Sequence, residues 1–309
     1  MNDCERPWRI HLELTFGCDN RCPMCFKQVL HKEKGNYNYM NTNTAYNIAT
    51  KLEKAGFDGV RIECALRGEP TLNPNFLKII QILRSKLKKS QITVFTNGNH
   101  LNKDLIKKYF LAGGNILLVD CYTNNLQERL QKYKEFNPIN YYENSSFNPF
   151  HKNPPNTKKI VLMDSIITQN KIKRTRQLHN QGGNVDFNIT SSLGIKPIPE
   201  PYNKKCVRPF RELAINYKGN IILCCKDANE DQVMGNINRI QDIGTLWREN
   251  KKLKIIRLLL YNKNRNFKPC DKCDDKGGMR IGFLPKTKIL DETTLKRLSS
   301  YLVQKKEKL

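Results

Sequence analysis

Thr15-Phe16-Gly17-Cys18-Asp19-Asn20-Arg21-Cys22-Pro23-Met24-Cys25 sets three cysteines in a C-x3-C-x2-C run. The run follows directly on an alternating segment, Ile10, Leu12 and Leu14, that reads as a strand. Thiolates this close together on one loop can hold three corners of a [4Fe–4S] cube. Three ligands for four irons leave one iron open to a non-protein ligand. An open iron beside a strand end suits chemistry better than electron storage.

Working outward, residues 59–63 read as a second strand, followed by Arg67-Gly68-Glu69-Pro70-Thr71-Leu72-Asn73-Pro74. Residues 91–95 read as a third, ending in Thr96-Asn97-Gly98. Glycine permits close backbone approach to a ligand and proline fixes the direction that follows. Ordinary strand-to-helix turn chemistry is the other reading of Gly68 and Gly98. Between the strands lie helical patterns: from about Asn43, capped by Thr42 or Asn41, to about Ala55 and Gly56; after Pro74, with Phe76, Ile79, Ile80 and Leu83 on one face; and from near Asn102, with Leu105, Ile106, Tyr109 and Phe110, to Gly113-Gly114. Asn115–Asp120 and Lys158–Asp164 give further strands. The alternation predicts an α/β fold with a parallel sheet and crossover helices.

The remainder of the chain breaks this rhythm. Tyr133–Thr157 is rich in Asn, Tyr, Phe and Pro, and reads either as a substrate-covering loop or as a disordered insertion. Tyr122, Tyr141, Tyr142 and His151 are candidates for lining a pocket. Pro197, Pro199 and Pro201 mark a linker. A last helical pattern runs from Asp291 to about Lys305, with Leu295, Leu298 and Leu302 on its apolar face.

At 309 residues and 39% hydrophobic content the chain can bury a sizeable core. It has no apolar run of membrane-spanning length and opens without an apolar leader, which predicts a cytoplasmic protein with no membrane partner. The eleven cysteines cluster, which argues for metal over disulfides, while Cys4, Cys64 and Cys121 stand apart as packed thiols. A formal charge of +25 raises nucleic acid as a partner. The basic residues, however, are scattered over Lys86–Lys89, Lys171–Arg176, Lys251–Arg257 and Lys305–Lys308 among abundant Asn and Ile, the pattern an AT-rich coding sequence produces. An acidic substrate or carrier suits the same field.

A second constellation follows the proline linker. Cys206 precedes two strand-like runs, Leu213–Tyr217 and Ile221–Leu223, joined by Lys218-Gly219-Asn220, which together read as a β-hairpin. Cys224-Cys225 lie at its far end and Cys270-Asp271-Lys272-Cys273 come later. Cys206, Cys270 and Cys273 with Cys224 or Cys225 make a complete four-thiolate set, open to tetrahedral zinc or to a closed iron–sulfur cluster; the family spacing given below selects Cys224. Adjacent strand residues face opposite sides, so Cys225 points away from Cys224 and is the alternative ligand.

The cysteine triplet, the Gly-Glu-Pro turn and the Thr-Asn-Gly turn, at strand ends in this order, resemble the radical S-adenosylmethionine (SAM) enzymes. The segment Leu118–Thr123 lacks the serine-led sequence many relatives carry, and Met24 stands where an aromatic residue is common. The resemblance implies that Cys18, Cys22 and Cys25 hold a SAM-binding [4Fe–4S] cluster, that main-chain groups of Gly68, Glu69 and Pro70 meet the SAM amino group, and that Thr96, Asn97 and Gly98 line the cofactor. The spacing from Gly219 to Cys224, and Gly235-Asn236-Ile237 before Ile243 and Trp247, are similar to the twitch domain, a shortened form of the SPASM domain that carries one auxiliary [4Fe–4S] cluster; no cysteine follows Cys273 for a second. Gln181-Gly182-Gly183-Asn184 resembles a turn near the end of the core domain in such enzymes.

The implied architecture is a partial (β/α)6 TIM-like barrel with a small C-terminal α/β auxiliary-cluster (twitch) domain: residues 1–197 as core, 198–280 as cluster domain, 281–309 as C-terminal helix and basic tail. The implied activity is reductive cleavage of SAM to a 5′-deoxyadenosyl radical, abstraction of a substrate hydrogen, and passage of an electron to the auxiliary cluster, on a small molecule or peptide. Relatives with one auxiliary cluster include aminocyclitol dehydrogenases. A reducing donor such as flavodoxin or ferredoxin is implied as partner. The alternatives are a radical SAM enzyme modifying RNA or DNA, and a non-enzymatic zinc or iron–sulfur module.

Overall fold

In the computed structural model the described residues are 5–22, 25, 37–121, 131, 133, 158–164, 167–168, 171–172, 180–185, 188, 204–275 and 288–304. Met24, most of the Tyr133–Thr157 segment, Tyr122, Tyr141, Tyr142, His151, Cys4 and the Pro197–Pro201 linker lie outside them, as does the Cys121 side chain.

The strands are β1 (Arg9–Leu12), β2 (Thr15–Phe16), β3 (Asn38–Tyr39), β4 (Arg61–Cys64), β5 (Gln91–Thr96), β6 (Ile116–Cys121), β7 (Lys159–Asp164), β8 (Ile167–Thr168), β9 (Lys171–Ile172), β10 (Glu212–Ile215), β11 (Asn220–Ile222) and β12 (Val233–Asn236). The α-helices are α1 (Thr42–Lys54), α2 (Phe76–Lys86), α3 (Lys103–Leu111), α4 (Arg208–Arg211), α5 (Ile243–Glu249), α6 (Lys251–Tyr261) and α7 (Glu292–Gln304). Eight strands form one sheet in the order β12-β11-β10-β1-β4-β5-β6-β7. From β10 to β7 every pairing is parallel, and the β10-β11-β12 edge is antiparallel. This is the partial TIM-like barrel, with α1, α2 and α3 as crossovers between successive parallel strands. The C-terminal hairpin does not build a sheet of its own. Its first strand pairs with β1, Ile10 opposite Leu213 and Leu12 opposite Ile215.

Local chemistry sets the element ends. Asn41 caps α1 by accepting from Thr44 N at 2.8 Å, and Asn102 caps α3 by accepting from Leu105 N at 2.8 Å, so two orphan helix donors are satisfied. The second barrel strand starts two residues later than the apolar pattern predicts, because Gly59 turns at φ +90° before β4 begins. Gly114, between α3 and β6, admits no side chain: a Cβ there would fall 2.1 Å from the Tyr109 ring, whose hydroxyl donates to Ile92 O and Ile116 O.

The sheet has two unlike faces. Ile10, Leu12, Ile62, Cys64, Ile92 and Val94 join Ile48, Leu52, Ile79, Ile80 and Leu83 of the crossover helices in the main core. The opposite face, the barrel interior, is divided. Phe95, Ile116, Leu118 and Val161 make a small apolar cluster there. Arg9, His11, Arg61, Glu63 and Glu212 form a charged array. On the C-terminal side Lys51 of α1 donates to Ile237 O and Ile240 O, both at 2.6 Å, which binds the hairpin edge to the core helices. Helix α7 packs on α6 with Leu302 buried and Leu295 and Leu298 half-buried.

Candidate active site

The cysteine loop is stitched to the Gly-Glu-Pro turn through the backbone. Gly17 N donates to Arg67 O at 3.3 Å and Glu69 N donates to Gly17 O at 2.9 Å. A Cβ on Gly68 would lie 2.2 Å from Thr15 O and 2.5 Å from Gly17 O, so only glycine allows this approach. The Glu69 carboxylate, 2% exposed, then ties this turn to the next: Oε1 accepts from Thr71 Oγ1 (2.6 Å) and Thr96 Oγ1 (2.7 Å), and Oε2 accepts from Asn97 N (2.8 Å). Gly98 N donates to Thr96 Oγ1 at 3.0 Å. Asp19, inside the cysteine run, accepts from Asn97 Nδ2 (2.7 Å) and Asn99 Nδ2 (2.9 Å), and His100 Nε2 lies 3.1 Å away. Burial opposes the Asp19 anion, but the amide bonds and His100 hold its carboxyl below the usual range. Three turns far apart in sequence are thereby locked at one end of the barrel.

They surround a cavity of about 320 Å³ lined by Cys18, Cys22, Cys25, Gly68, Glu69, Thr96 and Asn97. Asp120 from β6, Gln181, Cys225 and Lys226 line it too, as do His11 and Glu63. Pro70, one residue on from Glu69, opens a 3₁₀ turn at Pro70–Leu72. Cys18, Cys22 and Cys25 are half-buried and in no disulfide. A soft trio facing open volume, beside a glycine cradle, fits an iron–sulfur cluster with a free corner.

His11 sits between two carboxylates, Nδ1 at 3.0 Å from Glu63 Oε2 and Nε2 at 3.3 Å from Glu212 Oε2. Both ring nitrogens face carboxylate oxygens, which can only accept when ionised, an arrangement that favours the imidazolium. Burial opposes that charge, yet Glu63, Cys225 and Glu212 carry the pKa up to about 9. Burial likewise disfavours the Glu63 anion, and His11, Arg61 and Arg9 overcome it, taking its pKa down to about 2. Glu212 is held well below the usual range against burial by Arg208, Arg9 and His11.

The second constellation is also assembled. Cys206, Cys224, Cys270 and Cys273 are free, buried thiols that act on one another electrostatically. Burial pushes all four upward, Cys206 to about 12, and a metal bound there would have to take their protons. Cys225 is turned elsewhere. Its Sγ lies 3.5 Å from Arg208 Nη1 and lines the cavity, within 4.8 Å of His11 and Glu212 ligand atoms. Strand alternation is not what parts the pair, because β11 ends at Ile222; the following turn does, with Lys226 N donating to Cys224 Sγ (3.4 Å) and Asp227 N to Cys224 O (3.1 Å). The Gln181–Asn184 turn lies against this site: Lys226 Nζ donates to Gln181 Oε1, Asn229 to Asn184 Oδ1, and Asn180 N to Asp274.

Sequence reasoning did not single out His11, Glu13, Asp19, Glu63 or Lys226 as site residues; it did turn Cys225 away from Cys224, without placing it on the cavity. A signal existed for two of them: Arg9, His11 and Glu13 alternate with Ile10, Leu12 and Leu14, and polar residues on the interior face of a buried parallel strand are unusual.

A barrel of parallel strands with one thiol trio lining a cavity at its end and one buried thiol quartet behind Cys225 fits an iron–sulfur enzyme. Residues 12–144 match the Radical SAM superfamily and residues 206–274 match the SPASM iron–sulfur cluster-binding domain; the chain is a radical SAM enzyme with a SPASM/twitch-like C-terminal region. A [4Fe–4S] cluster, an auxiliary iron–sulfur cluster and SAM are its cofactors. The chain is 22% identical over 267 residues to the S-adenosyl-L-methionine-dependent 2-deoxy-scyllo-inosamine dehydrogenase of Niallia circulans, covering 86% of this chain and 92% of that one. Over 102 residues, 32% of this chain and 26% of the relative, it is 30% identical to a tungsten-containing aldehyde ferredoxin oxidoreductase cofactor-modifying protein of Pyrococcus furiosus. Among solved structures, BtrN in complex with AdoMet and 2-DOIA superposes with a TM-score of 0.63 at 20% identity, over 87% of this chain and 93% of that one. Streptococcus suis SuiB bound to its precursor peptide SuiA gives 0.52 at 14% identity, over 93% and 76%. Among the described residues no helix is long and apolar enough to cross a membrane.

Proposed function

We propose that the chain is a radical SAM oxidoreductase that removes a hydrogen from a small molecule or peptide and passes an electron to its auxiliary [4Fe–4S] cluster. Cys18, Cys22 and Cys25 would hold the first cluster, and Cys206, Cys224, Cys270 and Cys273 the auxiliary one. Gly68, Glu69, Pro70, Thr96, Asn97 and Gly98 would seat SAM. When bound, these groups supply a 5′-deoxyadenosyl radical able to attack an unactivated C–H bond. The protein's part is placement and exclusion of water. Glu69 and Asp19 clamp the three cofactor turns, and the charged floor around His11 holds the cavity's polar wall in one arrangement.

The observation that carries the reading is one cavity lined both by the trio and by Cys225 and Lys226, the two residues that directly follow Cys224 of the quartet. That placement suits a substrate held between a site of hydrogen removal and an electron acceptor. The dehydrogenase named above, alike over most of both chains, supports a small-molecule substrate. The SuiA-bound fold neighbour keeps a peptide in play. A donor such as flavodoxin or ferredoxin would reduce the first cluster. The same reading divides the chain into a core at 1–197, a cluster domain at 198–280 and a C-terminal helix with basic tail at 281–309. Iron analysis after anaerobic reconstitution tests it: two four-iron clusters require about eight irons per chain. About four, or zinc in the quartet, would contradict it.

A further inference from the structure

The cavity among the three cofactor turns also holds a pair of side chains with no part in the assignment above. Lys226 and Gln181 both line it, and both are half-buried. Lys226 directly follows Cys225, and Gln181 opens the Gln181-Gly182-Gly183-Asn184 turn. The backbone brings the two segments into close contact, since a Cβ on Gly182 would fall 2.6 Å from Lys226 O. Gln181 itself sits at φ +52°, a left-handed conformation that a residue with a side chain adopts at a cost. Asn184 Nδ2 helps to hold it there by donating to Gln181 O at 2.9 Å.

The polarity of the pair follows from its chemistry. An ammonium can only donate, so Lys226 Nζ donates to Gln181 Oε1, and the amide is fixed with its oxygen toward the lysine. The remaining N–H groups of Nζ and both of Gln181 Nε2 are donors, and among the described residues none of them has a protein acceptor. Of the carboxylates lining the same cavity, Glu63 is engaged by His11 and Arg61, and Glu69 by Thr71, Thr96 and Asn97. Asp120 is the third, and no ion pair joins it to Lys226. The pair therefore presents donors and one positive charge to the cavity.

We infer that Lys226 and Gln181 form a substrate subsite for an oxyanion, a carboxylate or phosphate carried by the molecule that the enzyme oxidises. This deepens the proposed function and rests on it. An ionised carboxylate or phosphate offers acceptors and negative charge together, so it matches a half-buried corner built only of donors and an ammonium. The basic field of the chain, +25 overall, draws the same class of molecule toward the cavity. Lys226 N donates to Cys224 Sγ at 3.4 Å, so an anion held by this residue keeps the substrate beside the proposed electron acceptor.

The test uses the reconstituted full chain with SAM bound and no reductant, and two probes, acetate and inorganic phosphate. Binding is read as the broadening that the protein's iron imposes on the acetate methyl proton line and the phosphate phosphorus line. Wild type is expected to give saturable broadening, and the anion that binds more tightly names the source, carboxylate or phosphate. Lys226→Gln removes the charge and is expected to weaken binding at least about tenfold, while Lys226→Arg keeps most of it. Gln181→Leu removes donors, keeps the charge and weakens binding about threefold or more. Iron content and SAM affinity are expected to stay at wild-type levels in all three. Gln181→Leu carries the test if Lys226→Gln loses the auxiliary cluster, because Lys226 also acts on Cys273. No saturable binding in wild type, or unchanged binding in both Lys226→Gln and Gln181→Leu, overturns the subsite. A fall in SAM affinity with Lys226→Gln overturns it too, since the pair would then serve the cofactor's own carboxylate. Iron content is read first: about four irons in wild type overturns the two-cluster reading and the subsite with it, whereas about eight without anion binding overturns the subsite alone.

Discussion

Glu13 and Arg67 form a two-point ion pair inside the protein, Nε to Oε1 at 2.6 Å and Nη2 to Oε2 at 2.7 Å. The same guanidinium donates to Ala228 O at 2.7 Å and lies 4.6 Å from the Phe16 ring centroid, so it fastens β1, the Gly-Glu-Pro turn and the loop after Cys225 to one another. Breaking such a pair strands a buried charge. Arg67→Met is expected to cost about 3–5 kcal/mol, and Glu13→Leu combined with Arg67→Met to recover most of it. Urea unfolding of the three proteins measures both; additive losses would contradict the pairing.

Gly68→Ala would separate the proposed cofactor binding from folding. Its Cβ position is filled by Thr15 O and Gly17 O, so Gly68→Ala must push the cysteine loop away from the turn. Overpacking costs about 1–3 kcal/mol, which leaves a folded chain. SAM affinity of the reconstituted protein is expected to fall at least about tenfold, roughly 1.4 kcal/mol. Equilibrium binding of SAM reports this, and wild-type affinity in Gly68→Ala would sink it.

The two adjacent cysteines differ in consequence. Cys224 faces the buried quartet and Cys225 the cavity. Cys224→Ala is expected to drop the iron content from about eight to about four per chain, while Cys225→Ala keeps about eight. The reverse result would exchange the ligands.

Much of this was readable from the chain. The period-two and helical patterns located β1, β5, β6, β7 and the three crossover helices, because each buries one face and the caps Asn41 and Asn102 are local. The glycine and cysteine spacings likewise concern contacts within a single turn. What stayed hidden depends on pairing across the fold. His11 meets Glu212 across 201 residues and Arg67 meets Glu13 across 54, and neither separation leaves a local trace. That β10 lies beside β1 was equally silent, since Leu213 and Ile215 would suit any apolar neighbour.

His11 makes stability depend on pH in the alkaline direction. Its pKa rises from an ordinary 6.5 to about 9 on folding, so its contribution is fully present below about pH 6.5 and is lost as pH climbs through about 9. The facing groups are Glu63 of β4, Glu212 of β10, Arg9 on its own strand, Arg61, Arg208 and Cys225. At about 1.4 kcal/mol per pH unit of displacement the loss reaches roughly 3 kcal/mol. Denaturant midpoints of the wild type should fall between pH 6.5 and 9 and those of His11→Gln much less; parallel curves would refute the imidazolium. Glu63, depressed to about 2, works oppositely, and its share is lost as pH drops from about 4.5 toward 2.

The trio at Cys18, Cys22 and Cys25 would leave a metal corner at which SAM is cleaved. Anaerobic incubation of the reconstituted chain with SAM and a low-potential reductant, read by mass spectrometry for 5′-deoxyadenosine, addresses it most directly. 5′-Deoxyadenosine and methionine are expected in equal amounts from the wild type and from Cys225→Ala, and neither from Cys22→Ala. A fully iron-loaded wild type that leaves SAM intact would contradict it.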